Sequence, residues 1–309
     1  KIMVEKRKVE LIMTLSLTVI ALAVMTTSAA ALMKYNIDGN PSDWGINITT
    51  GNWSLNDTWV PNDGVEFIVE DNRDPQWSNT YYGVHIKGVG SNYTRYYEDK
   101  VRHRDGHLVP EPYAGEPWDL EAKYLDEDDE YIYVLIVTSL APNATGDSAP
   151  GDLALDLDGN SSTGEYGYEY GVKLGTRTGL PQGDIGYLPD WEEPYYVPEN
   201  RPSVFKGYLS GGYKNGTATV VYKQIPVVDY GHHNYVVEMA IPKDAVGMAG
   251  KSLKDPPTKT IHITDACGND TIDNPIPEFL TIVIPVLAIL GLIYVHRRKW
   301  RGKGRENNG

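Results

Sequence analysis

The segment from Leu120 to Val137 limits the fold more than any other. Leu120-Glu121-Ala122-Lys123-Tyr124-Leu125 alternates along its length, and Tyr131-Ile132-Tyr133-Val134-Leu135-Ile136-Val137 is a run of β-branched, aromatic and leucine side chains. Both patterns read as strands. Between them stand Asp126-Glu127-Asp128-Asp129-Glu130. Consecutive carboxylates of this number cannot be buried together, so they predict a solvated hairpin turn. Similar short runs recur at 65–70, 82–86, 153–157, 168–174, 203–209, 218–224, 235–241 and 258–263. No stretch between 32 and 278 carries a long helical pattern, and Pro242 to Met248 allows one helical turn. The chain has 22 Tyr against 3 Phe, which suits half-buried strands, and its 31 Gly and 20 Pro suit many turns. About ten strands in one unit predict an all-β, two-sheet antiparallel β-sandwich of jelly-roll or immunoglobulin-like type.

Neither terminus fits that pattern. Lys1, Lys6, Arg7 and Lys8 precede an apolar run from Leu11 to Met25 and then small residues up to Ala31. This layout predicts a signal peptide over 1–31, helical before removal, with cleavage after Ala31. The sandwich is then expected over 32–267, with an insertion at about 45–114, a long irregular loop at 175–202 and a mobile linker at 268–278. The first 31 residues hold 4 basic and 2 acidic side chains and the last 31 hold 6 and 1, so the part between carries 18 basic and 39 acidic, net −21. Such a surface repels nucleic acid and attracts cations. Cys267 is the only cysteine, which excludes an intrachain disulfide.

The C-terminal end is tripartite: Pro277-Glu278-Phe279, an apolar run from Leu280 to Val295, then His296-Arg297-Arg298-Lys299-Trp300-Arg301. From Phe279 the run is about 17 residues, enough at about 1.5 Å each to cross most of a ~30 Å hydrocarbon core as a transmembrane helix over 279–295. The basic cluster would stay cytoplasmic and leave the preceding chain outside. This order resembles the PEF-CTERM sorting signal of archaeal surface proteins, over 277–301. The resemblance implies processing near Pro277, Glu278 and Phe279 by a sorting transpeptidase, an archaeosortase, after transient anchoring in the membrane. An ordinary single-pass anchor gives the same address. Further motifs lie inside the domain. Ile37-Asp38-Gly39-Asn40-Pro41-Ser42-Asp43-Trp44 and Asn234-Tyr235-Val236-Val237-Glu238-Met239-Ala240-Ile241-Pro242 resemble family-nine carbohydrate-binding modules and DOMON-like sandwiches. Gly115 to Ala122 and His262 to Asp270 resemble segments of other surface proteins with C-terminal sorting signals.

The best ion-site candidate is Gly151 to Asn160. Asp156, Asp158 and Asn160 alternate as in a calcium loop, Gly159 permits a sharp turn, and Asp152 shares the strand face of Asp156 and Asp158. The EF-hand's distal glutamate is missing, because Gly167 stands at that position. Glu165 or Glu169 would replace it only with a different loop geometry. The competing reading is a solvated Asp-Gly turn whose carboxylates cap backbone amides. Asp119 and Glu121 form a weaker pair, expected on one strand face with Leu120 and Ala122 on the other. Trp118 and Trp191, expected in loops, are candidates for stacking on sugars. Eight Asn-x-Ser/Thr sequons, at Asn47, Asn52, Asn56, Asn92, Asn143, Asn160, Asn215 and Asn269, suggest a glycoprotein. His232-His233 point to opposite strand faces, and His103 and His107 lie in a loop, so neither pair reads as a chelate. No Cys-x-x-Cys-His and no phosphate loop occur, so calcium is the one expected cofactor, with no haem and no nucleotide. The expectation is a non-catalytic, structural or adhesive surface protein that meets envelope or matrix glycans. A carbohydrate or small-ligand binding module is the alternative, and a surface hydrolase the third reading.

Overall fold

The computed structural model describes residues 33–48, 59–72, 83–95, 101–109, 112, 116–229 and 232–276. The expected signal segment with Ala31, the tail from Pro277 through Glu278 and Phe279 with the expected transmembrane helix, and the sequons Asn52 and Asn56 lie outside the described residues. Chain contacts separate residues 1–34 from 35–309, and every element below belongs to the second unit. Among the described residues the helical turns are short and 3-10, and none is long and apolar enough to cross a membrane.

In chain order the strands are β1 (Glu66–Asn72), β2 (Gly83–Val89), β3 (Asn92–Arg95), β4 (Val101–Arg102), β5 (Leu108–Val109), β6 (Leu120–Glu127), β7 (Tyr131–Thr138), β8 (Leu153–Asp156), β9 (Tyr170–Val172), β10 (Asp184–Trp191), β11 (Phe205–Thr217), β12 (Thr219–Asp229), β13 (His232–Pro242), β14 (Lys259–Thr264) and β15 (Thr271–Ile276). A 7-stranded sheet has the order β12-β13-β7-β6-β1-β2-β3, and a 6-stranded sheet the order β11-β10-β9-β8-β14-β15. Both are antiparallel throughout. β4 and β5 form a separate ribbon. The chain passes from one sheet to the other at Ala218, between β11 and β12, where Ala218 N–H donates to Gly183 O at 2.8 Å. A strand that bends between sheets in this way makes the corner of a sandwich.

Between the sheets lies one apolar core. Ile68, Leu125, Ile132, Val134, Ile136, Val237, Met239 and Ile241 come from the first sheet, and Leu153, Leu155, Val172, Ile185, Ile261, Ile263 and Ile272 from the second. The outer face of the first sheet is also buried. Tyr35, Trp44, Ile46, Ile48, Trp59 and Val65 cover Phe67, Tyr124, Tyr133, Leu135 and Val236. This double burial explains why β7 is a continuous apolar run rather than an alternating one. Tyr35 stacks on Trp44 at 4.0 Å between centroids.

A single carboxylate fastens this cover. Glu238, in the middle of β13 and fully buried, accepts the indole N–H of Trp44 at 2.8 Å and the backbone N–H groups of Asp38 and Gly39 at 3.0 and 2.8 Å. The two motifs that resemble binding modules therefore meet, and they meet through a structural bond.

The structure differs from the sequence reading in five places. The hairpin turn is Asp128–Glu130, because Asp126 and Glu127 remain in β6. Both have partners there: Tyr35 donates its hydroxyl to Asp126, and Lys243 pairs with Glu127 at 2.7 Å. The stretch 175–202 contains β10, hidden from pattern reading by Gly186, Pro189 and three register shifts against β11. Within the expected insertion 45–114 the runs at 65–70 and 82–86 form β1 and β2 as read, and β3, which has no such run, extends the same sheet. The expected linker 268–278 contains β15, an edge strand, which is where Pro275 is tolerated. Finally, a bulge between Leu120 and Ala122 breaks the parity of β6. Leu120 faces the inter-sheet core and Ala122 the covered outer face, so the two do not share a side.

Candidate metal centre

β8 and β9 form a hairpin in which Leu155 pairs with Tyr170. Continuing that register by one residue sets Asp156 opposite Glu169. The loop between them turns on itself through its own side chains. Asp156 Oδ1 accepts from Gly159 N at 2.7 Å, Asp158 Oδ1 from Asn160 N at 2.8 Å, and Asn160 Oδ1 from Ser162 N at 3.1 Å. Gly159 has φ +63°, and a Cβ there would sit 2.8 Å from Thr258 O, so glycine is required both for its backbone angle and for packing. Glu165 donates no ligand to this group, since its Oε2 accepts Trp191 N at 2.7 Å.

Asp156, Asp158 and Glu169 bring one carboxylate oxygen each to within 4.8 Å of one another. Asp158 is exposed, Asp156 half-buried and Glu169 buried, with 4 % of its surface accessible. Glu169 Oε1 accepts Leu157 N at 2.9 Å, and its buried Oε2 has no partner. Burial, with the negative charges of Asp158 and Asp156, pushes Glu169 up to about 7. Burial and Asp158 raise Asp156 in the same sense. Three acids held this close raise one another's cost of ionisation, and a bound cation relieves it.

The other residues expected at an ion site are placed elsewhere. Asp152 is fully buried and pairs with Lys173 Nζ at 2.7 Å. It also accepts from Leu174 N, Gly175 N and Phe205 N at 2.7, 3.2 and 2.8 Å. Its role is to tie β9 and β11 to the start of β8. Asn160 is exposed, and its amide donates to Thr163 Oγ1 at 2.9 Å. Asp119 and Glu121 are both fully buried, and Glu121 accepts from the Asn234 amide.

Trp191 ends β10 with 1 % of its surface accessible, packed against Phe205 at 5.7 Å between centroids. It is a core residue, buried because its side of β10 faces Ala154 and Phe205. Trp118 is half-buried at the end of the 3-10 turn Glu116–Trp118. An open cleft of about 430 Å³ between Asp129–Tyr131 and Pro242–Gly250 is lined by neither tryptophan. Of the described sequons, Asn47, Asn92, Asn143 and Asn160 are exposed, Asn215 is half-buried and Asn269 is buried.

Sequence reasoning did not find three interior groups. Lys123 is fully buried and donates Nζ to the carbonyls of Ile261 and Ile272 in the opposite sheet. His262 is buried with Nδ1 on Asp273 at 2.6 Å and Nε2 on Pro202 O at 2.8 Å. Asp265 accepts from Asn269 N at 2.6 Å and from the Cys267 thiol at 3.1 Å, while Asp270 accepts from Leu120 N at 2.5 Å. The last two explain the motif His262 to Asp270 as a closure of the sandwich end.

These features define an all-β, two-sheet protein in which buried Asp152, Glu238, Asp265 and Asp270 hold backbone amides, and, among the described residues, an acidic cluster lies on the β8–β9 loop. Residues 276–299 match the PEF-CTERM archaeal protein sorting domain, which marks a protein exported and sorted to the cell surface through its C-terminus. The match begins on the last residue of β15. No curated protein and no solved structure matches the chain, so the likeness to carbohydrate-binding modules and DOMON-like domains is not confirmed.

Proposed function

We propose that the mature protein is a non-catalytic component of an archaeal cell envelope or matrix, with a structural or adhesive role. The observation that carries this reading is the PEF-CTERM match at 276–299, which begins where the last strand ends. An archaeosortase-type enzyme acting near Pro277-Glu278-Phe279 would release the basic tail and leave β15 whole. The mature domain then keeps its fold and its acidic charge. Support for a non-catalytic role comes from the buried acids: Asp152, Glu238, Asp265 and Asp270 each accept backbone N–H groups from distant or turn segments. Such acids are committed to the fold and are not presented to a substrate.

Intact-mass analysis of the native cell-associated protein tests the reading. The expected mass lacks both the first 31 residues and the tail beyond the Pro-Glu-Phe motif, with added lipid and glycan. A cell-associated species that retains the whole tail would overturn the processing step. Glycan-array binding lost on Trp118→Ala would overturn the purely structural role and favour a binding module.

A further inference from the structure

We propose that Asp156, Asp158 and Glu169 form a calcium site that closes the β8–β9 hairpin. The geometry is a loop whose start, at Asp156 and Asp158, and end, at Glu169, each bring carboxylate oxygens together, one per residue and all within 4.8 Å of one another. Acidic loops alone are common, but Glu169 is different. It is 4 % accessible, Leu157 N–H fixes its Oε1, and its Oε2 is buried without a donor. A buried carboxylate oxygen left without a partner costs free energy, and a cation supplies the missing contact. The charged neighbours that act on Glu169 are Asp158 and Asp156, which are also negative.

The donor set selects the metal. All three ligands are carboxylate oxygens, with no histidine or cysteine in the group, which favours a hard cation over zinc or copper. Calcium takes six to eight oxygens at flexible angles, so loop carbonyls and water complete its shell, whereas magnesium requires a near-ideal octahedron. The site differs from the set read from the sequence alone: Glu169, offered there only as an alternative to Glu165, becomes a full member, and Asp152, paired with Lys173, and Asn160, which caps its own turn, leave. Bound calcium would fix more than the loop. Gly159 packs on Pro257 and Thr258, and Glu165 holds Trp191 N, so one ion orders the β8–β9 loop against the segment before β14 and against β10.

The test is calorimetric titration of the chelator-treated full chain with calcium chloride alone. One saturable site is expected, half-saturated at about 0.1–1 mM as in other extracellular calcium modules. Glu169→Gln keeps the Leu157 contact, and Asp158→Asn, at an exposed position, keeps the acceptor for Asn160 N. Each should weaken calcium binding at least tenfold and abolish the rise in melting temperature that calcium gives the parent. Asp129→Asn, an exposed acid of the β6–β7 turn, should leave both unchanged. No saturable binding up to about 10 mM, or unchanged half-saturation in both site variants, overturns the site. Magnesium binding as tight as calcium overturns the choice of metal.

Discussion

Glu238 offers the sharpest test of how the cover is held. Its Oε1 receives Trp44 Nε1–H, and its Oε2 receives the N–H groups of Asp38 and Gly39. Burial, with Asp43 nearby, raises its pKa, against the three donors that favour the carboxylate. Glu238→Gln keeps the shape but turns one oxygen into an NH₂ group. That group must face either the indole or the two backbone amides, so at least one donor loses its acceptor and meets another donor. A buried unsatisfied donor costs about 1–3 kcal/mol, and the donor–donor contact sets the total near the upper part, about 2–3 kcal/mol. For a domain of this size that is a fall of about 4–12 °C in melting temperature. Trp44→Phe removes the other partner. If the bond is real, the double variant should couple by about 1–2 kcal/mol, well above the ~0.3–0.5 kcal/mol scatter of independent sites. The assay is thermal unfolding of the full chain at fixed calcium, with limited proteolysis to report release of residues 33–48. A Glu238→Gln melt within about 1 °C of the parent, with no coupling to Trp44→Phe, would refute the role of this carboxylate as a latch.

Three further perturbations follow from the other buried charges. Lys173→Met strands the buried Asp152, whose pKa burial already raises, and should cost about 3–5 kcal/mol in a urea titration while leaving calcium half-saturation unchanged. Burial lowers Lys123 from 10.5 to about 8, so the folded state sheds its proton above about 8 while the unfolded state holds it to 10.5. The cost of burying that charge is present in full below pH 8 and is relieved as pH rises to 10.5. Lys123→Met should therefore match or exceed the parent at pH 7 in urea midpoint and fall below it at pH 10. Burial raises Asp265 from 3.8 to about 7, so its contribution to stability is complete below pH 3.8 and is lost as pH rises towards 7. Asp265→Asn should remove at most about 4 kcal/mol of pH-dependent loss across that window, read from urea midpoints at pH 4 and pH 8.

The hairpin at Leu120–Val137 was legible because its signals are local: two strand-like runs and a turn too charged to bury. The same holds for the other eight runs, each of which overlaps a strand. β10 and β15 were not legible, because each contains a proline that argues against a strand. The fold admits Pro189 beside a register shift and Pro275 on an edge, and neither context is written in the local sequence. The face assignment of Asp119 and Glu121 failed for a related reason. One bulge residue inverts the parity of everything before it, and no residue between Leu120 and Ala122 announces the bulge.

The ion site shows where spacing along the chain stops being informative. Read linearly, Asp152, Asp156, Asp158 and Asn160 form one acidic series. In the fold, donors sort them. Asp152 meets a lysine and three amide N–H groups across two strands, so its charge is compensated and unavailable. Asn160 has its amide on Thr163 and its oxygen on Ser162 N, inside its own turn. Only Asp156 and Asp158 keep an acidic neighbour in place of a cation, and the third acid comes from the far side of the hairpin. Glu169 is thirteen positions after Asp156 in the chain but adjacent to it once Leu155 pairs with Tyr170. The sequence offered Glu165 and Glu169 without choosing between them; hairpin register was the signal that selects Glu169, and register depends on the strand ends, which sequence patterns define least well. A carboxylate in this protein is thus better classified by the partners that the β-ladder brings to it than by the acids beside it in sequence. By that measure Glu238, Asp265 and Asp270 belong to the fold, and Glu169, with one buried oxygen unmatched, belongs to the proposed calcium site.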